Sequence, residues 1–180
     1  VDGPYGLRKA AWDMMNIEGL AAWYRPHLAR LTSLMAPSAT VYLWNTAEGW
    51  ARLDPEMRAL GWEFRTLIVW DKRTSPSVIN NQKASGWPDV TEVCCMYSRG
   101  TPFFSNKDRL TNIWPLSSVA FADEKERHPT EKLKAAHGLE WAAPLHVSQK
   151  PLLFAERMVQ ASTRPGMRVL IPFGGTCRIA

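Results

Sequence analysis

A carboxylate, a turn and an aromatic ring lie together in the stretch Asp2-Gly3-Pro4-Tyr5. Glycine and proline favour a surface turn, which is the ordinary interpretation of such a string. The chemical interpretation is that Asp2 and the Gly3 carbonyl accept the two hydrogens of an amino group while the Tyr5 ring stacks on a planar base. The amine would then keep its lone pair free to attack an electrophilic methyl group, with positioning as the main source of catalysis. A base in a duplex must flip out to be reached in this way.

Two further stretches have residue types that could contact a cofactor. The segment HVSQKPL, residues 146–152, ends in a Lys-Pro pair that suits the first turn of a helix. Ser148, Gln149 and the helix amides could bind a carboxylate there, although a simple helix cap explains the same residues. The segment LIPFGGTCRIA, residues 170–180, has a Gly-Gly pair that would let a cofactor approach the backbone closely. A tight turn between a strand and a helix is the alternative for that segment.

The composition limits the class of protein. A chain of 180 residues, 46% hydrophobic and 22% charged, suits one globular domain with a real core. No run approaches the ~20 apolar residues of a membrane span. Three scattered cysteines predict a reducing, cytoplasmic setting, and no paired Cys/His spacing indicates a metal site. The net charge of +5 and pI near 9.3 are compatible with a polyanionic partner. The nine Trp residues are mostly explained by core packing, although Trp also stacks on bases.

Hydrophobic periodicity predicts which elements must position these stretches. Helices are predicted over residues 18–35, 46–61 and 151–162, the second with an internal restart at Asp54-Pro55. Strands are predicted over residues 40–44, 62–70, 90–97 and 168–171, and Val1 is taken as the last residue of another strand. Residues 71–88 and 101–144 are predicted to be loop-like. Alternating strands and helices predict an α/β sheet with parallel members, in which ligands bind at the carboxyl ends of strands.

The three chemical stretches, in this order and spacing, resemble the DNA amino-methyltransferases that act on adenine N6 or cytosine N4. In that family the catalytic motif reads (D/N/S)-P-P-(Y/F), and in one class it precedes the S-adenosylmethionine motifs. Here DGPY fills that position, HVSQKPL matches H-x-[ST]-Q-K-P, and VLIPFGGTCRIA matches V-L-D-P-F-x-G-x-G-T. The segment HPTEK, residues 128–132, is similar to the second motif but continues Leu-Lys, so the role is assigned to residues 146–152. The resemblance covers most of the chain and is thinnest over residues 101–144.

The resemblance implies a fold, a cofactor and a partner. The fold class is α/β, a Rossmann-like methyltransferase mixed sheet flanked by helices, in one catalytic domain over residues 1–180 with a target-recognition region at 101–145. The implied cofactor is S-adenosylmethionine, the implied partner is double-stranded DNA, and a homodimer is possible. The implied catalytic residues are Asp2, Gly3, Pro4 and Tyr5. The implied cofactor-binding residues are His146, Ser148, Gln149, Lys150, Pro151, Phe173 and Gly175. The candidate DNA-binding residues are Lys72, Arg73, Lys83, Lys107 and Arg109, each of which is also explained as an ordinary solvated charge.

The chain departs from the family pattern at three positions. Gly3 replaces the first proline of the catalytic motif, so the loop loses local stiffness. Ile171 stands where the cofactor strand usually ends in Asp, and Cys177 stands where the second glycine of the loop is usual. The family pattern also includes a strand before Asp2 and elements after Ala180. We therefore expect this sequence to be incomplete at both ends, either trimmed, or completed by a partner chain, or degenerate.

Three functions are compatible with the sequence. The first is DNA methylation on adenine N6, since Asp paired with Tyr is the commoner combination for adenine in the family, with cytosine N4 as the alternative base. The second is a catalytically inactive module that binds nucleic acid, which Ile171, Cys177 and the missing ends motivate. The third is methylation of RNA or a small molecule on the same fold, because a fold does not fix a function.

Overall fold

The computed structural model describes residues 1–8, 13, 15–73, 90–117 and 150–173. In these ranges a short 3-10 helix, Ile17–Gly19, leads into α1 (Leu20–Leu34), β1 (Ala39–Asn45), α2 (Ala47–Ala59) and β2 (Glu63–Asp71). They are followed by β3 (Thr91–Arg99), β4 (Ile113–Pro115) and α3 (Leu152–Ser162). Six of the predicted elements are confirmed, with bounds that differ by about two residues at most. The predicted mixed sheet flanked by helices is likewise confirmed.

The strands form one mixed sheet in the order β1-β3-β2-β4. β3 pairs antiparallel with both β1 and β2, and β4 pairs parallel with β2. Val1 adds a parallel neighbour at the other edge, because its nitrogen donates to the Tyr42 carbonyl and its carbonyl accepts from the Trp44 amide. β1, β2 and β4 therefore run in one direction, and β3 alone opposes them among the described strands.

Side-chain alternation along the strands divides the core into two clusters, one on each face of the sheet. On β1, Leu43 belongs to the cluster under α1 and α2, whereas its neighbour Trp44 belongs to the cluster under α3. On β3, Val93 and Cys95 pack with the first cluster and Cys94 with the second. The arrangement is three layers, helix on sheet on helix, and the second cluster is rich in aromatic rings.

The predicted restart of α2 at Asp54-Pro55 is wrong, because one continuous helix spans Ala47–Ala59 and contains Pro55. Thr46 caps this helix by accepting from the Gly49 amide at 3.0 Å. Asp54 does not act as a second cap, since its carboxylate accepts instead from Arg58 and Tyr97. A proline inside a helix costs about 3 kcal/mol. The burial of Leu53 and Met57 on either side of Pro55 offsets that cost.

Two predictions on irregular segments need correction. Residues 168–171 form no strand, and Val169 and Leu170 are about half exposed. A short apolar run alone does not make a strand, which needs a hydrogen-bonded neighbour, and the described residues provide none there. The loop predicted over 101–144 contains the short strand β4, which was missed because three residues carry no periodicity. Residues 118–149, most of the loop at 71–88 and the end of the chain from 174 lie outside the described residues.

Arg99 fixes the carboxyl end of α1. Its guanidinium donates to the carbonyls of Thr32, Met35 and Ala36 and lies 5.0 Å from the centroid of the Trp62 ring. We expect Arg99→Met to lower the free energy of unfolding by about 1–3 kcal/mol, because terminal carbonyls lose their donor. Urea unfolding measures the change, and Arg30→Met, at an exposed position of α1, is the matched control. Equal losses in the two variants would contradict this capping role.

None of the helices in the described ranges is long and apolar enough to cross a membrane.

Candidate active site

The loop of residues 2–5 lies at the edge of the sheet where its parallel strands end. Val1 is held against β1 by two backbone hydrogen bonds, so Asp2 leaves the sheet at that edge. The buried carboxylate of Asp13 accepts from the amides of Gly6 and Leu7 at 2.8 and 3.0 Å and holds the far end of the loop. The positive φ of Gly6, 74°, lets the chain turn there. The loop is thus fixed at both ends.

Four side chains form a closed ring of polar contacts around this loop. The Tyr5 hydroxyl lies 3.0 Å from Oδ1 of Asp2 and 3.1 Å from Oε2 of Glu92. The Lys150 ammonium lies 3.2 Å from the same Asp2 oxygen and 3.0 Å from the same Glu92 oxygen. Two carboxylates therefore share two donors. The phenol has a single hydrogen and donates to one carboxylate at a time.

Lys72 completes the charge balance of the ring. Its ammonium lies 2.7 Å from Oε1 of Glu92, on the side away from Lys150. Two lysines thus face two carboxylates in a partly buried setting, and the Lys150 side chain is 8% exposed. Buried carboxylates are tolerated only when they are paired and hydrogen-bonded, so the four charges depend on one another.

Burial and charge shift the pKa values of the ring in directions that keep it ionised. Burial lowers the pKa of Lys150, but the carboxylates of Asp2 and Glu92 outweigh it and the net pKa is raised. Burial raises the pKa of Glu92, but the ammonium groups of Lys150 and Lys72 outweigh it and the net pKa is lowered. Burial, with Asp2 and Glu92, raises the pKa of Tyr5, so its phenol stays protonated at neutral pH.

Aromatic rings surround the Lys150 ammonium on its remaining sides. Its nitrogen lies 5.1 Å from the centroid of the Tyr5 ring, 5.6 Å from that of Trp44 and 6.0 Å from that of Trp70. A cation within about 6 Å of an aromatic face is attracted by the ring quadrupole. The α3 side of the sheet therefore brings cation-binding rings next to the Asp2 carboxylate.

The backbone of the loop packs against α1 at Gly3 and Pro4. The Tyr24 hydroxyl donates to the Pro4 carbonyl at 3.1 Å, and Tyr24 is fully buried. A Cβ atom at position 3 would overlap the Tyr24 hydroxyl and would lie 3.1 Å from Cδ2 of Phe173. Only glycine fits this approach without a displacement of its neighbours.

A cavity of about 1050 Å³ opens beside the loop. Its lining includes seven of the predicted site residues, which are Asp2, Gly3, Pro4, Tyr5, Lys150, Pro151 and Phe173. Ile171 also lines it, so no carboxylate faces the cavity at the position where the related motif has Asp. The volume is in the upper range of ligand pockets, which supports a site large enough for a cofactor and a substrate group together.

The structure brings some predicted residues together and leaves others undescribed. Asp2–Tyr5, Lys150, Pro151 and Phe173 meet at one cavity, and Lys150 binds the Asp2 carboxylate directly. Arg73, Lys107 and Arg109 are exposed, whereas Lys72 is half-buried in its ion pair with Glu92. His146, Ser148, Gln149, Gly175 and Lys83 lie outside the described residues, as do Cys177 and most of the region at 101–145. No group of three metal-ligating side chains occurs within the ranges that the structure describes.

Sequence reasoning missed Glu92, Asp13 and Tyr24. The sequence could have indicated Glu92, because it is the one charged residue in the otherwise uncharged segment TEVCCMYS, residues 91–98. A charge inside a buried strand needs a partner, which points to a site. No sequence pattern indicates the roles of Asp13 and Tyr24, since these roles depend on which loop lies next to them in the folded structure.

Comparisons with known proteins agree with this fold and site. Among solved structures, a complex titled M1.HpyAVI-SAM matches with a TM-score of 0.54 and 18% identity, over 91% of this chain and 65% of that chain. The PvuII DNA methyltransferase, titled cytosine-N4-specific, matches with a TM-score of 0.64 and 12% identity, over 91% of this chain and 62% of that one. The chain thus spans somewhat less than two thirds of each. These likenesses define the fold as that of DNA methyltransferases.

The family follows from the sequence itself. The family model described as DNA methylase, N6_N4_Mtase, matches residues 1–180, and the chain belongs to that family. Among curated protein sequences none matches this chain.

Proposed function

We propose that the protein transfers a methyl group from S-adenosylmethionine to the exocyclic amino group of a base flipped out of duplex DNA, with adenine N6 as the target. The observation that carries this proposal is the Asp2 carboxylate at the rim of the cavity, held beside the Tyr5 ring. Family membership supports the reaction class. The combination of Asp with Tyr favours adenine over cytosine.

The described residues fit a bound S-adenosylmethionine, which supplies an electrophilic methyl group. Phe173, Pro151 and Lys150 line the cavity next to Asp2, which gives an apolar wall, a ring for stacking and a polar end. The undescribed His146, Ser148, Gln149 and Gly175 are proposed to complete the site.

Asp2 is proposed to orient the target amine. Among the described residues both donors to Asp2 bind Oδ1, so Oδ2 is the atom offered to an amino hydrogen. The backbone carbonyls of Gly3 and Pro4 assist, and Tyr5 stacks on the base. The nitrogen lone pair would then face the methyl carbon that S-adenosylmethionine would supply, the neutral thioether would be the leaving group, and the amine would lose one proton to solvent. The protein contributes alignment of the reacting atoms rather than a covalent step.

Methyl transfer from labelled S-adenosylmethionine to mixed-sequence duplex DNA, with hydrolysis to nucleosides, tests the proposal. We expect N6-methyladenine. N4-methylcytosine would keep the role of Asp2 and contradict the choice of base. DNA binding without transfer or cofactor binding would contradict the reaction and favour the inactive module, for which Ile171 in the cavity wall is the supporting observation. Transfer to RNA in preference to duplex DNA would contradict the substrate class.

The exposed lysines and arginines are proposed to bind phosphates. We expect Lys107→Ala and Arg109→Ala each to reduce the slope of log Kd against log salt by about 1, because each phosphate contact releases about one counterion. Lys72→Ala is the informative comparison, since Lys72 is already paired with Glu92. Filter binding across a salt series measures the slopes. An unchanged slope in both exposed variants would assign DNA binding to other residues.

A further inference from the structure

Gly3 and Tyr24 fit together as a matched pair. Glycine has the widest conformational freedom of any residue, and here it follows directly on Asp2. Its φ is not positive, so the backbone angle does not demand glycine at this position. Glycine is required for steric reasons, because a Cβ atom at position 3 would overlap the Tyr24 hydroxyl. The loop therefore has the least local stiffness at the point where a catalytic carboxylate needs the most.

The contacts of Tyr24 supply the missing restraint. Its hydroxyl donates to the carbonyl of Pro4, the residue after Gly3. The Tyr24 side chain extends from the second turn of α1 and is fully shielded from solvent. The donor atom is thus held by the helix and by core packing, and it fixes the peptide between Pro4 and Tyr5, directly after Gly3. Val1 and Asp13 hold only the two ends.

Tyr24 also contacts the second loop that lines the cavity. Its ring meets Phe173 edge to face, with ring centroids 6.3 Å apart. Phe173 packs in turn against Trp23 and His27 of the same helix, at 5.7 and 5.9 Å. One helix therefore contacts both the loop with the carboxylate and the loop of Phe173, and Tyr24 is the residue that touches both.

We propose that Tyr24 is a positioning residue, which holds Asp2 and Tyr5 in register with the cavity across the flexible Gly3. It does so through a tertiary hydrogen bond, where the motif that this loop resembles has a proline. The inference deepens the proposed function and rests on it, since Asp2 and Tyr5 are the groups proposed to act on the amine. Tyr24 itself is not proposed to touch the substrate.

A double-mutant cycle in the full-length protein tests this pair. Tyr24→Phe removes the donor from the buried Pro4 carbonyl, and we expect Tm to fall by about 2–8 °C. Gly3→Ala creates the overlap, and we expect a loss of similar size or larger. In the double variant the hydroxyl, which is the atom with the severest overlap, is gone, and the added methyl group keeps the closer-than-usual contacts of 3.1 Å with Cζ of residue 24 and Cδ2 of Phe173. Tyr24→Phe should therefore lower Tm when position 3 is glycine and raise it when position 3 is alanine.

Tyr97→Phe is the matched control. Tyr97 is equally buried, and its hydroxyl donates to Asp54 at 2.9 Å, far from the loop. It should lower Tm by a similar amount with either residue at position 3. Additive Tm losses for Gly3→Ala and Tyr24→Phe, like those expected with Tyr97→Phe, would overturn the pairing.

The kinetic readout separates positioning from mere stability. We expect Tyr24→Phe to lower kcat about tenfold at a temperature where the variant is fully folded, with KM for DNA changed less than about twofold. Tyr97→Phe should leave both unchanged. A Tyr24→Phe variant with unaltered kcat would overturn the positioning role even if the Tm cycle holds. Absence of methyl transfer by the unaltered protein would instead overturn the proposed function. The Tm measurements need no substrate, so they test the pairing of Gly3 with Tyr24 independently of that result.

Discussion

Replacing Asp2 with alanine is expected to lower kcat for methyl transfer by about 10²- to 10³-fold. Loss of one preorganised polar group at a reacting centre typically has an effect of this size. Asp2 lies at the rim of the cavity with one oxygen bound by Tyr5 and Lys150, so its other oxygen has a fixed direction. Alanine offers no acceptor, and the amine of a bound base would lose its alignment. Transfer rates with saturating DNA and S-adenosylmethionine measure the change.

Two further variants test whether the loss of activity in Asp2→Ala comes from the lost acceptor at this position. Asp2→Asn keeps one acceptor oxygen and should retain more activity than Asp2→Ala, because alignment rather than proton removal is the proposed role. Glu63→Ala removes a largely exposed carboxylate on β2, away from the cavity, and should transfer methyl groups at the unaltered rate. Transfer by Asp2→Ala within a few-fold of the unaltered rate would show that another residue orients the amine.

Replacing Lys150 with methionine is expected to have the largest effect on stability. Lys150 is 8% exposed and is shared between Asp2 and Glu92. Its loss leaves two partly buried carboxylates with Lys72 as the remaining cation in the ring. Breaking a buried ion pair by removing one partner costs about 3–5 kcal/mol. Denaturant unfolding at pH 7 measures the free energy of unfolding of both proteins.

The pH dependence of that loss has a definite sign. In the unaltered protein the folded pKa of Glu92 is lowered, so its stabilisation is present above the unfolded value of about 4.5 and is lost as pH falls. In Lys150→Met, burial acts on Glu92 without this cation, so the folded pKa of Glu92 rises. The variant therefore gains relative stability as pH falls, and the gap between the proteins should narrow from pH 8 to pH 5. Lys150 has a raised folded pKa, so its own contribution disappears only at pH above about 10.5.

Lys107→Met is the matched control, since Lys107 is exposed. It should change the free energy of unfolding by no more than about 0.5 kcal/mol at any pH. Lys150→Arg retains the charge and should recover part of the loss in Lys150→Met. A gap between the unaltered protein and Lys150→Met that is constant from pH 5 to pH 8 would mean that lost packing, not charge, destabilises the variant.

The sequence was most informative where local physics decides the outcome. The periodic apolar residues of α1 and the β-branched and aromatic runs of β1 and β2 predict their elements, because burial of one face selects both the element and its register. The position of Asp2 at a strand end was also predictable, and the hydrogen bonds of Val1 to β1 agree with it. The mixed direction of the sheet followed from the family resemblance rather than from the pattern of residues.

The sequence failed where distant segments decide the outcome. Asp54 has the residue type of a cap, but Arg58 and Tyr97 compete for its carboxylate. Residues 168–171 have the composition of a strand, but pairing requires a neighbour. Glu92 lies 90 residues from Asp2 in the chain, and no short motif connects them. The ring of charges therefore emerges only when β3 lies between β1 and β2.

The placement of β3 divides the site into a permanent part and an adjustable part. β3 is paired with a strand on each side over residues 93–98, whereas Thr91 and Glu92 at its start pair with β2 alone. We expect the amides in the doubly paired part to exchange with solvent only in global unfolding. Glu92 is carried by this strand, whereas Asp2 and Tyr5 are carried by a loop. Under the proposed function we expect a flipped base to be admitted by a local opening of residues 2–5, with the carboxylate of Glu92 staying in place on β3 as the reference to which the loop returns.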